Sequence, residues 1–555
     1  MRLSLSFALV VIAAPVLCAQ EIRGTVTEAG TGAPLGGVVI QLLDSARAVL
    51  GRNISNERGQ YRLALGGRGE RAKTLKLVRI GFLPRETAIA VTASGVLTVD
   101  ARMTALPTML EPVRVMDQPN CPKRDDRGAA FALWEQAQTA LLGTIVAREA
   151  NPGSMLRLGY HRTLDRNGDK TVSQTVRIDS TFALGAGFVA PQTAAEFVRT
   201  GFMDIRNKSL RFLGPDAETI LSDDFLAGYC LRVAPSDNAR PAQVGLGFEA
   251  ANHQRGRIDI DGTIWIDTAA RALRDIEFRY VGLDGRLDRL HPGGHMEFLE
   301  MPNGTVLLQR WNLRLVGAET TAVISRSSLL SRIAKPYAQD GGGEVALVTW
   351  PDGRSWTASL GTLHVAATHT DGSPARNRSI HLSNSGYTAT TDTNGVAEIA
   401  HVLPGSYDIM VDDPRFARVS VAINTGAAFT AARDTTFQTS IIVPSAEDAV
   451  RDLCVENLGQ TPDNPPWLFL RVLDPEGQPV AGVTLSMRME KDLNNWVQLR
   501  DRGTTGTDGM FAICRGLEPG ANLVVQARRG DDRVDAPLRL QGDLTVARIR
   551  FPMKP

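Results

Sequence analysis

The sequence predicts a mainly β protein with three small β-sandwich domains and a central α+β domain. Two turn patterns, each written three times, predict the sandwiches: a Gly-x-Pro turn, and a polar turn with glycine that follows it further along the chain. Short segments with alternating apolar and polar residues flank these turns, as in strands with one buried face. A pattern that recurs in this way indicates copies of one structural unit. The copies are Gly32–Val38 with Asn56–Tyr61, Gly372–Ala375 with Thr393–Val396, and Gly477–Val483 with Thr507–Phe511.

Length and charge limit the class of protein. A chain of 555 residues predicts about three to five domains. The 61 Lys and Arg residues balance the 60 Asp and Glu residues, for a formal charge of +1. Nucleic-acid binding depends on clustered positive charge, so we expect no nucleic-acid partner.

The N-terminus predicts export. Arg2 precedes an apolar run from Leu3 to Leu17, the pattern of a secretory signal peptide. We expect cleavage after Ala19, so that residues 1–19 are removed. Lipidation at Cys18 and an uncleaved anchor are the alternatives, and the bulky Leu17 before the cysteine disfavours lipidation. No other segment is apolar enough to span a bilayer, so we expect a periplasmic, outer-membrane-associated or extracellular protein without a membrane span in its mature form.

Four cysteines remain after the signal: Cys121, Cys230, Cys454 and Cys514. In an exported protein an even number predicts disulfides. Three pairings are possible, and the domain organisation favours Cys121–Cys230 and Cys454–Cys514; free buried thiols are the alternative. No Cys-x-x-Cys spacing occurs, so a zinc site is not expected.

The first sandwich is predicted at 20–116. Its alternating strands are followed by Val96–Val99 and Val113–Val115 as closing strands. The earlier strands are Ile22–Thr27, Val38–Leu42, Tyr61–Leu65 and Leu75–Ile80.

This segment resembles the carboxypeptidase regulatory-like domains, and is most similar to the copies that precede TonB-dependent receptors. The resemblance implies an Ig-like, prealbumin-like sandwich with the carbohydrate-binding-like fold. It does not imply peptidase activity, because such domains are mostly non-catalytic modules. The matching residues are Gly24–Val26, Gly32, Pro34, Leu35, Gly37, Val38, Gly59, Tyr61, Ile80–Phe82 and Glu111–Val115.

The central α+β domain is predicted at 121–345. The segment Asp125–Arg148 has apolar residues at three- and four-residue steps, opposite Glu135 and Gln138, which predicts one long amphipathic helix. An antiparallel meander follows, and its hairpin from Gly262 to Tyr280 resembles those of bacterial lipoprotein-carrier half-barrels. The apolar stripe comprises Ala130, Phe131, Trp134, Ala137, Leu141 and Ile145.

The C-terminal part predicts two more sandwiches, at 361–440 and 466–553. Leu403–Tyr407 matches the late Leu-x-Pro-Gly-x-Tyr turn of the same family, and Leu517–Gly520 takes the equivalent place in the third copy. The Gly- and Pro-rich stretch 335–358 before them predicts a linker.

No catalytic, cofactor-binding or metal-binding motif is found, so we expect no enzyme and no cofactor. The loop His291–His295 with Glu297 would offer metal ligands, but a solvated turn is favoured. The loop Asp165–Asp169 partly matches a calcium loop, but it lacks the distal glutamate, and a hairpin turn is favoured.

Four aromatic residues of the central domain are candidate ligand contacts: Trp134, Trp265, Tyr280 and Trp311. They would line a pocket for an apolar or sugar ligand. Aromatic side chains also fill cores, and the core interpretation is favoured.

These features predict a non-catalytic binding or scaffolding protein of the cell envelope, with an envelope protein or a glycan as partner. Carbohydrate binding and a role accessory to outer-membrane uptake are its two specific forms. The alternatives are a periplasmic carrier of an apolar ligand and an envelope hydrolase with an unrecognised site. The shape of the space between the central helix and its sheet distinguishes these functions: a filled core favours a scaffold, and an apolar trough favours a carrier.

Overall fold

The computed structural model describes residues 21–65, 68–90, 96–106, 121–122, 125–150, 153–181, 190–206, 209–252, 256–283, 285–302, 304, 306–320, 333–458, 462–492, 495–499 and 503–552. The chain forms two compact units, Met1–Thr357 (unit 1) and Ala358–Pro555 (unit 2). The predicted signal peptide and the closing strand at Val113–Val115 lie outside the described residues, and the predicted domain limits stay predictions. Among the described helices, none combines the length and apolar character of a membrane span.

Unit 1 begins with a β-sandwich of two sheets. One sheet has the order β4-β1-β7, with β8 also paired to β1, and the other has the order β3-β2-β5-β6. β1 pairs antiparallel with β4 and parallel with β7 and β8. The strands are Glu21–Glu28 (β1), Val39–Leu43 (β2), Val49–Ile54 (β3), Gln60–Ala64 (β4), Thr74–Val78 (β5), Arg85–Ala88 (β6), Val96–Thr98 (β7) and Ala101–Met103 (β8).

The rest of unit 1 is one large antiparallel sheet and a long helix. The sheet order is β10-β9-β19-β18-β17-β16-β15-β14-β13, with β12 also paired to β18, β11 to β12, and β20 to β19. The helices are Arg127–Ala150 (α1), Ala194–Thr200 (α2), Ala217–Ile220 (α3), Asp223–Gly228 (α4) and Gly285–Asp288 (α5). The strands are Ser154–Leu164 (β9), Thr171–Thr181 (β10), Met203–Arg206 (β11), Ser209–Phe212 (β12), Tyr229–Val233 (β13), Gln243–Ala250 (β14), Asp259–Asp267 (β15), Ala272–Val281 (β16), Gly293–Glu300 (β17), Val306–Thr320 (β18), Ile333–Thr349 (β19) and Ser355–Thr357 (β20).

Unit 2 contains the other two sandwiches. Their sheets have the orders β24-β21-β27 with β23-β22-β25-β26, and β32-β28-β35 with β30-β29-β33-β34. A 3-10 helix at Pro414–Val419 and the helix Ala446–Leu458 (α6) complete the unit. The strands are Gly361–Thr368 (β21), Ser379–Leu382 (β22), Thr388–Thr390 (β23), Val396–Val402 (β24), Gly405–Asp412 (β25), Ala422–Ala431 (β26), Thr436–Ile442 (β27), Trp467–Leu473 (β28), Thr484–Asp492 (β29), Asn495–Gln498 (β30), Gly503–Thr504 (β31), Met510–Ile513 (β32), Asn522–Arg529 (β33), Asp532–Arg539 (β34) and Leu544–Arg550 (β35). The mainly β fold class with three sandwiches and a central α+β part is therefore confirmed.

The two repeated turns meet at the first strand of every sandwich. In the first copy Val26 donates its N–H to the Gly59 carbonyl at 2.8 Å and accepts from the Leu35 N–H at 2.9 Å. A Cβ on Gly59 would lie 2.3 Å from the Val26 oxygen, so only glycine fits there. The second and third copies make the same contacts. Ala367 bonds to Gly395 and Ala375, and Val472 bonds to Gly509 and Val480.

A buried hydroxyl joins the two turns, which the sequence reasoning missed. In the second copy the Thr391 hydroxyl donates to the Ala375 carbonyl at 2.6 Å and accepts from the Arg378 N–H at 2.9 Å. Ser55 in the first copy and Thr505 in the third make the equivalent pair of hydrogen bonds.

Helix α1 is buried on two faces. Trp134 and Ala137 lie in the core against the large sheet, as the predicted stripe requires. On another face, Val146 packs against Val39 and Ile54 of the first sandwich. The helix therefore lies between the sandwich and the large sheet of unit 1, although the sequence pattern predicted only one buried stripe.

The prediction of a linker at 335–358 is wrong over most of its length. β19 runs through the Gly-rich stretch and pairs with β18 on one side and β9 on the other. A Cβ on Gly343 would lie 2.3 Å from the Trp311 ring, and one on Gly342 would lie 2.5 Å from the Tyr160 hydroxyl. The glycines make room for aromatic rings that cross the strand, and this packing cannot be read from composition.

Both predicted disulfides are present. Cys121 is bonded to Cys230 in unit 1, and Cys454 to Cys514 in unit 2. The second bond joins α6 to the end of β32, within a core cluster that includes Phe416.

We expect Thr391→Val to destabilise unit 2 by about 1–3 kcal/mol, because it leaves the Arg378 N–H and the Ala375 carbonyl without their partner. Thr388→Val, on the exposed face of β23, is the matched control and should change stability by less than about 0.5 kcal/mol. Urea denaturation checks both variants. Equal midpoints for the two would contradict the structural role of the hydroxyl.

Gly343→Ala should destabilise unit 1 by about 1–3 kcal/mol, because the methyl group overlaps the Trp311 ring and the Leu158 carbonyl. Gly341→Ala is the control, since nothing lies within 4 Å of a Cβ at that position. Thermal unfolding of both variants measures the difference. A Gly343→Ala protein as stable as Gly341→Ala would show that the ring does not need the space.

Candidate functional site

The four candidate aromatic residues do not converge on one pocket. Trp134, Tyr280 and Trp311 lie in the hydrophobic core between α1 and the large sheet. The Tyr280 hydroxyl donates to the Leu213 carbonyl at 2.9 Å, and burial raises the pKa of the hydroxyl. Trp265 is also buried, but outside that core cluster. None of the four lines either of the two large grooves described below.

The space beneath the helix is filled. Trp134 of α1 is fully buried, together with Phe131 and Leu133. The opening bordered by Ile80, Ala140 and Val306 measures about 10 Å³, which is marginal even for one water molecule. This side of the sheet therefore holds packed side chains.

A polar cluster lies on the other face of the sheet. The Trp265 indole N–H donates to Glu277 at 2.8 Å, and the Arg240 guanidinium lies 4.4 Å from the centre of the Trp265 ring. Arg240 also lies 3.2 Å from Asp275. His295 Nε2 is 3.5 Å from the same Asp275 oxygen, within ion-pair range but without good hydrogen-bond geometry. We call Arg240, Trp265, Asp275, Glu277 and His295 the outer-face cluster.

The outer-face cluster corrects one sequence interpretation. His295 does not lie in a solvated turn but in β17, opposite Glu277 on β16. His291 does lie in the preceding turn, with a positive φ of 49°. Among the described residues, no group of three or more His, Cys, Asp or Glu side chains is arranged to hold a metal ion.

Charge around His295 favours its protonated form. The nearby Asp275 carboxylate raises the pKa of the imidazole, Glu297 and Glu277 add to the effect, and burial opposes it. Glu297 lies 3.6 Å from His295 Nδ1 and also pairs with Arg310. The cluster is thus a set of mutually compensating charges.

Two other acidic sites have structural roles. Asp259 is buried and accepts hydrogen bonds from Arg257 at 2.8 and 2.9 Å. Asp165 caps the turn between β9 and β10 by accepting from the N–H groups of Asp169 and Lys170. The hairpin-turn interpretation of Asp165–Asp169 is therefore confirmed.

The first large opening, the unit 1 groove, has a volume of about 870 Å³. The end of β3, the turn after it and the start of β4 form one wall, and the turn between β19 and β20 forms the other. Its residues are Asn53–Arg58, Gln60–Arg62, Ala147, Met301, Pro302, Trp350–Asp352 and Arg354.

One arginine bridges the walls of the unit 1 groove. Arg354 lies 2.7 Å from Asp352 on its own turn and 2.7 Å from Glu57 on the sandwich. The carboxylates of Asp352 and then Glu57 raise the pKa of the Arg354 guanidinium. Burial raises the pKa of Tyr61 in the groove to about 12, with Asp100 adding to the shift.

The turn that carries Arg58 is rigid. The Asn56 side-chain oxygen accepts from the N–H groups of Arg58 and Gln60, both at 3.0 Å, and Gly59 has a φ of 72°. Arg58 is exposed on a backbone fixed by the repeated contact with β1. The groove therefore offers the exposed guanidinium of Arg58 and the amide of Gln60, on a hydrogen-bonded backbone, beside the half-buried Trp350.

A second opening, of about 850 Å³, lies in unit 2 beside the 3-10 helix. His381 and Asp412 pair across β22 and β25 at 2.7 Å. Near them, burial acts to raise the pKa of Asp413, but hydrogen bonds from Arg415 outweigh it and lower the pKa. This groove has no aromatic lining residue among those described.

No model of a known protein family matches the sequence, and no curated protein is similar to it by sequence. Solved structures with partial similarity include a streptococcal ancillary pilin, with 11% identity and a TM-score of 0.14 over 42% of this chain and 84% of that one. Others are the minor pilin GBS52 of Streptococcus agalactiae, with 13% identity and a TM-score of 0.13 over 35% and 96%, and the shaft pilin SpaA of Lactobacillus rhamnosus GG, with 10% identity and a TM-score of 0.14 over 36% and 99%. TM-scores this low support no inference from those proteins to this one, so the β-sandwich fold rests on the sheets themselves.

The pKa of His295 should lie above its usual value near 6.5. Because the folded-state pKa is raised, the stabilising contribution of His295 is fully present below about pH 6.5 and is lost as the pH rises through the folded-state value. NMR titration of the histidines checks the pKa. Asp275→Asn should lower it, whereas His401, whose pKa burial lowers, should not respond. An unchanged His295 titration in Asp275→Asn would contradict the assigned cause.

Proposed function

We propose that this protein is an exported, non-catalytic binding and scaffolding protein of the cell envelope. The observation that carries the proposal is the filled space between α1 and the large sheet. A carrier of an apolar ligand needs a trough there, and Trp134, Phe131 and Leu133 occupy it. Binding must then use the outside of the sandwiches, where turns and strand edges are presented.

The two disulfides support the exported location. Structural disulfides persist in oxidising compartments and are rare in the cytosol. The N-terminal sequence predicts a signal peptide, and the first sandwich resembles regulatory-like domains of envelope receptors. These features agree on a periplasmic, outer-membrane-associated or extracellular protein.

The unit 1 groove is the binding site that the geometry favours. Its lining combines exposed Arg58, on the hydrogen-bonded turn, and exposed Gln60, at the start of β4, with the aromatic Trp350. A few convergent polar groups beside an aromatic surface are typical of ligand sites. Sugars present hydroxyls and apolar ring faces that match such a lining, so the proposed ligand is an envelope glycan.

The proposal assigns no catalytic residue. In the outer-face cluster each charge faces an opposite charge, and the Trp265 N–H is already bonded to Glu277. An envelope hydrolase would instead need a nucleophile or a paired acid and base directed into an opening. The grooves offer exposed polar groups for contact, which suits recognition.

Arg58→Glu with Gln60→Ala should weaken glycan binding by about ten-fold or more, because both changes remove donors from the groove. The test is co-sedimentation of the full-length mature protein with insoluble cell-wall glycan, and the bound fraction is measured across protein concentrations. Arg23→Glu, an exposed arginine on β1 outside the groove, is the charge-matched control.

Three results would overturn the proposal. Wild-type protein that does not bind the glycan, or binding lost equally in the Arg23→Glu control, would exclude the groove as a glycan site. Release of soluble fragments from the glycan by the purified protein would instead favour the hydrolase alternative.

A further inference from the structure

The large sheet of unit 1 ends in a long open strand. Among the strands that the structure describes, β10 is terminal in the sheet order and pairs only with β9. Its pairing is regular from Ser173 to Thr181, since the only irregularity lies between Thr171 and Ser173. On the side away from β9, alternate N–H and C=O groups of such a strand point outward, and no described strand pairs with them.

Along β10 few of the features that prevent strand pairing are present. Natural edge strands are protected by short length, proline, charged side chains (lysine above all), bulges or a covering segment. From Ser173 to Thr181 the strand has no proline, lysine or bulge. Its charged residues are Arg177 and Asp179 alone, one of each sign and two positions apart.

The positive member of this pair lacks a partner among the described residues. Arg177 is exposed and lies opposite Gly159 of β9, which has no side chain to meet it. Asp179 lies opposite Arg157, with their charged atoms 3.5 Å apart, and half of its side chain is exposed. Arg177 and Asp179 point to the same face of the sheet because they are two residues apart.

We propose that β10 pairs antiparallel with β10 of a second copy of this chain, with Ile178 on the two-fold axis. In this register Arg177 lies opposite Asp179 of the partner subunit, and Asp179 opposite Arg177 of the partner subunit. Two identical opposite-charge pairs then form across a self-complementary interface. Neighbouring symmetric registers do not achieve this. An axis at Arg177 or Asp179 places like charges opposite each other, and an axis at Val176 leaves both residues opposite uncharged Thr175 and Ser173.

The pairing joins the large sheets of two copies into one continuous sheet. Residues Thr175–Thr181 of the two copies face each other, with Val176 opposite Ser180 of the partner subunit. An interface based on one strand pair is modest in area, so the dimer should dissociate at low concentration. The proposal is independent of the ligand proposed for the unit 1 groove, which β10 does not line.

Sedimentation velocity of the mature full-length protein over a concentration series tests the register. The wild type should shift from monomer to dimer, and Arg177→Asp and Asp179→Arg should each raise the dissociation constant by roughly ten-fold or more through repulsion at two symmetric positions. The double variant, with both changes, restores opposite charges and should recover dimerisation. Arg548→Asp, at an exposed arginine on β35, is the control and should behave as the wild type.

Cysteine cross-linking provides a second measurement. Directly opposed residues in antiparallel strands have Cα atoms about 4.5–5.5 Å apart, within disulfide range. Ile178→Cys should therefore form a covalent dimer under mild oxidation, whereas Val172→Cys, exposed on the same strand but away from the axis, should form far less. A wild type that stays monomeric at all concentrations, a double variant that does not recover, or equal cross-linking of the two cysteine variants would each overturn the proposal.

Discussion

The architecture depends on a close backbone contact at the first strand of each sandwich. The glycine of the polar turn lies so near this strand that a Cβ would approach the Val26, Ala367 or Val472 oxygen within 2.5 Å. The same residue of the first strand binds both repeated turns through its N–H and C=O. The contact therefore fixes the polar turn, and the strand that follows it, against the first strand. Each copy needs glycine at this position.

In unit 1 the same contact also fixes one wall of the proposed binding groove. The turn that holds Gly59 against Val26 carries Arg58 and Gln60 into the groove. Helix α1 packs on the adjacent β3, where Arg52 bonds to Glu149 at 2.8 Å. The other face of α1 packs against the large sheet and leaves no large cavity between them. The same helix therefore closes the interior and supports a wall of the external groove.

The sequence was informative where local chemistry decides the structure. The turns, the alternating strands and the α1 stripe depend on residue type and spacing, and the preferred cysteine pairing follows from the domain organisation. Within the described residues the structure contains the turns, the stripe, both disulfides and the alternating strands. It was uninformative where distant residues decide. Gly342 and Gly343 suggested a linker because Tyr160 and Trp311, the rings that occupy their missing side-chain volume, are far away in the chain. The role of the Thr391 hydroxyl could not be predicted from the sequence, because threonine is common beside turns. Its role depends on the hydrogen bonds to Ala375 and Arg378, which only the structure shows.

The exposed arginines of this protein fall into two classes: those that already pair with a carboxylate of the same chain, and those whose guanidinium is available to an external acceptor. On the large sheet Arg314 bonds to Asp340 at 2.9 Å, and Arg310 pairs with Glu297. A ligand that bound there would have to displace these internal partners and would recover little free energy. Arg58 in the groove and Arg177 on β10 differ, because no described residue pairs with either. An exposed guanidinium without an internal partner can meet an acceptor without first breaking a bond within the protein, which is why recognition by this protein is expected at its turns and strand edges.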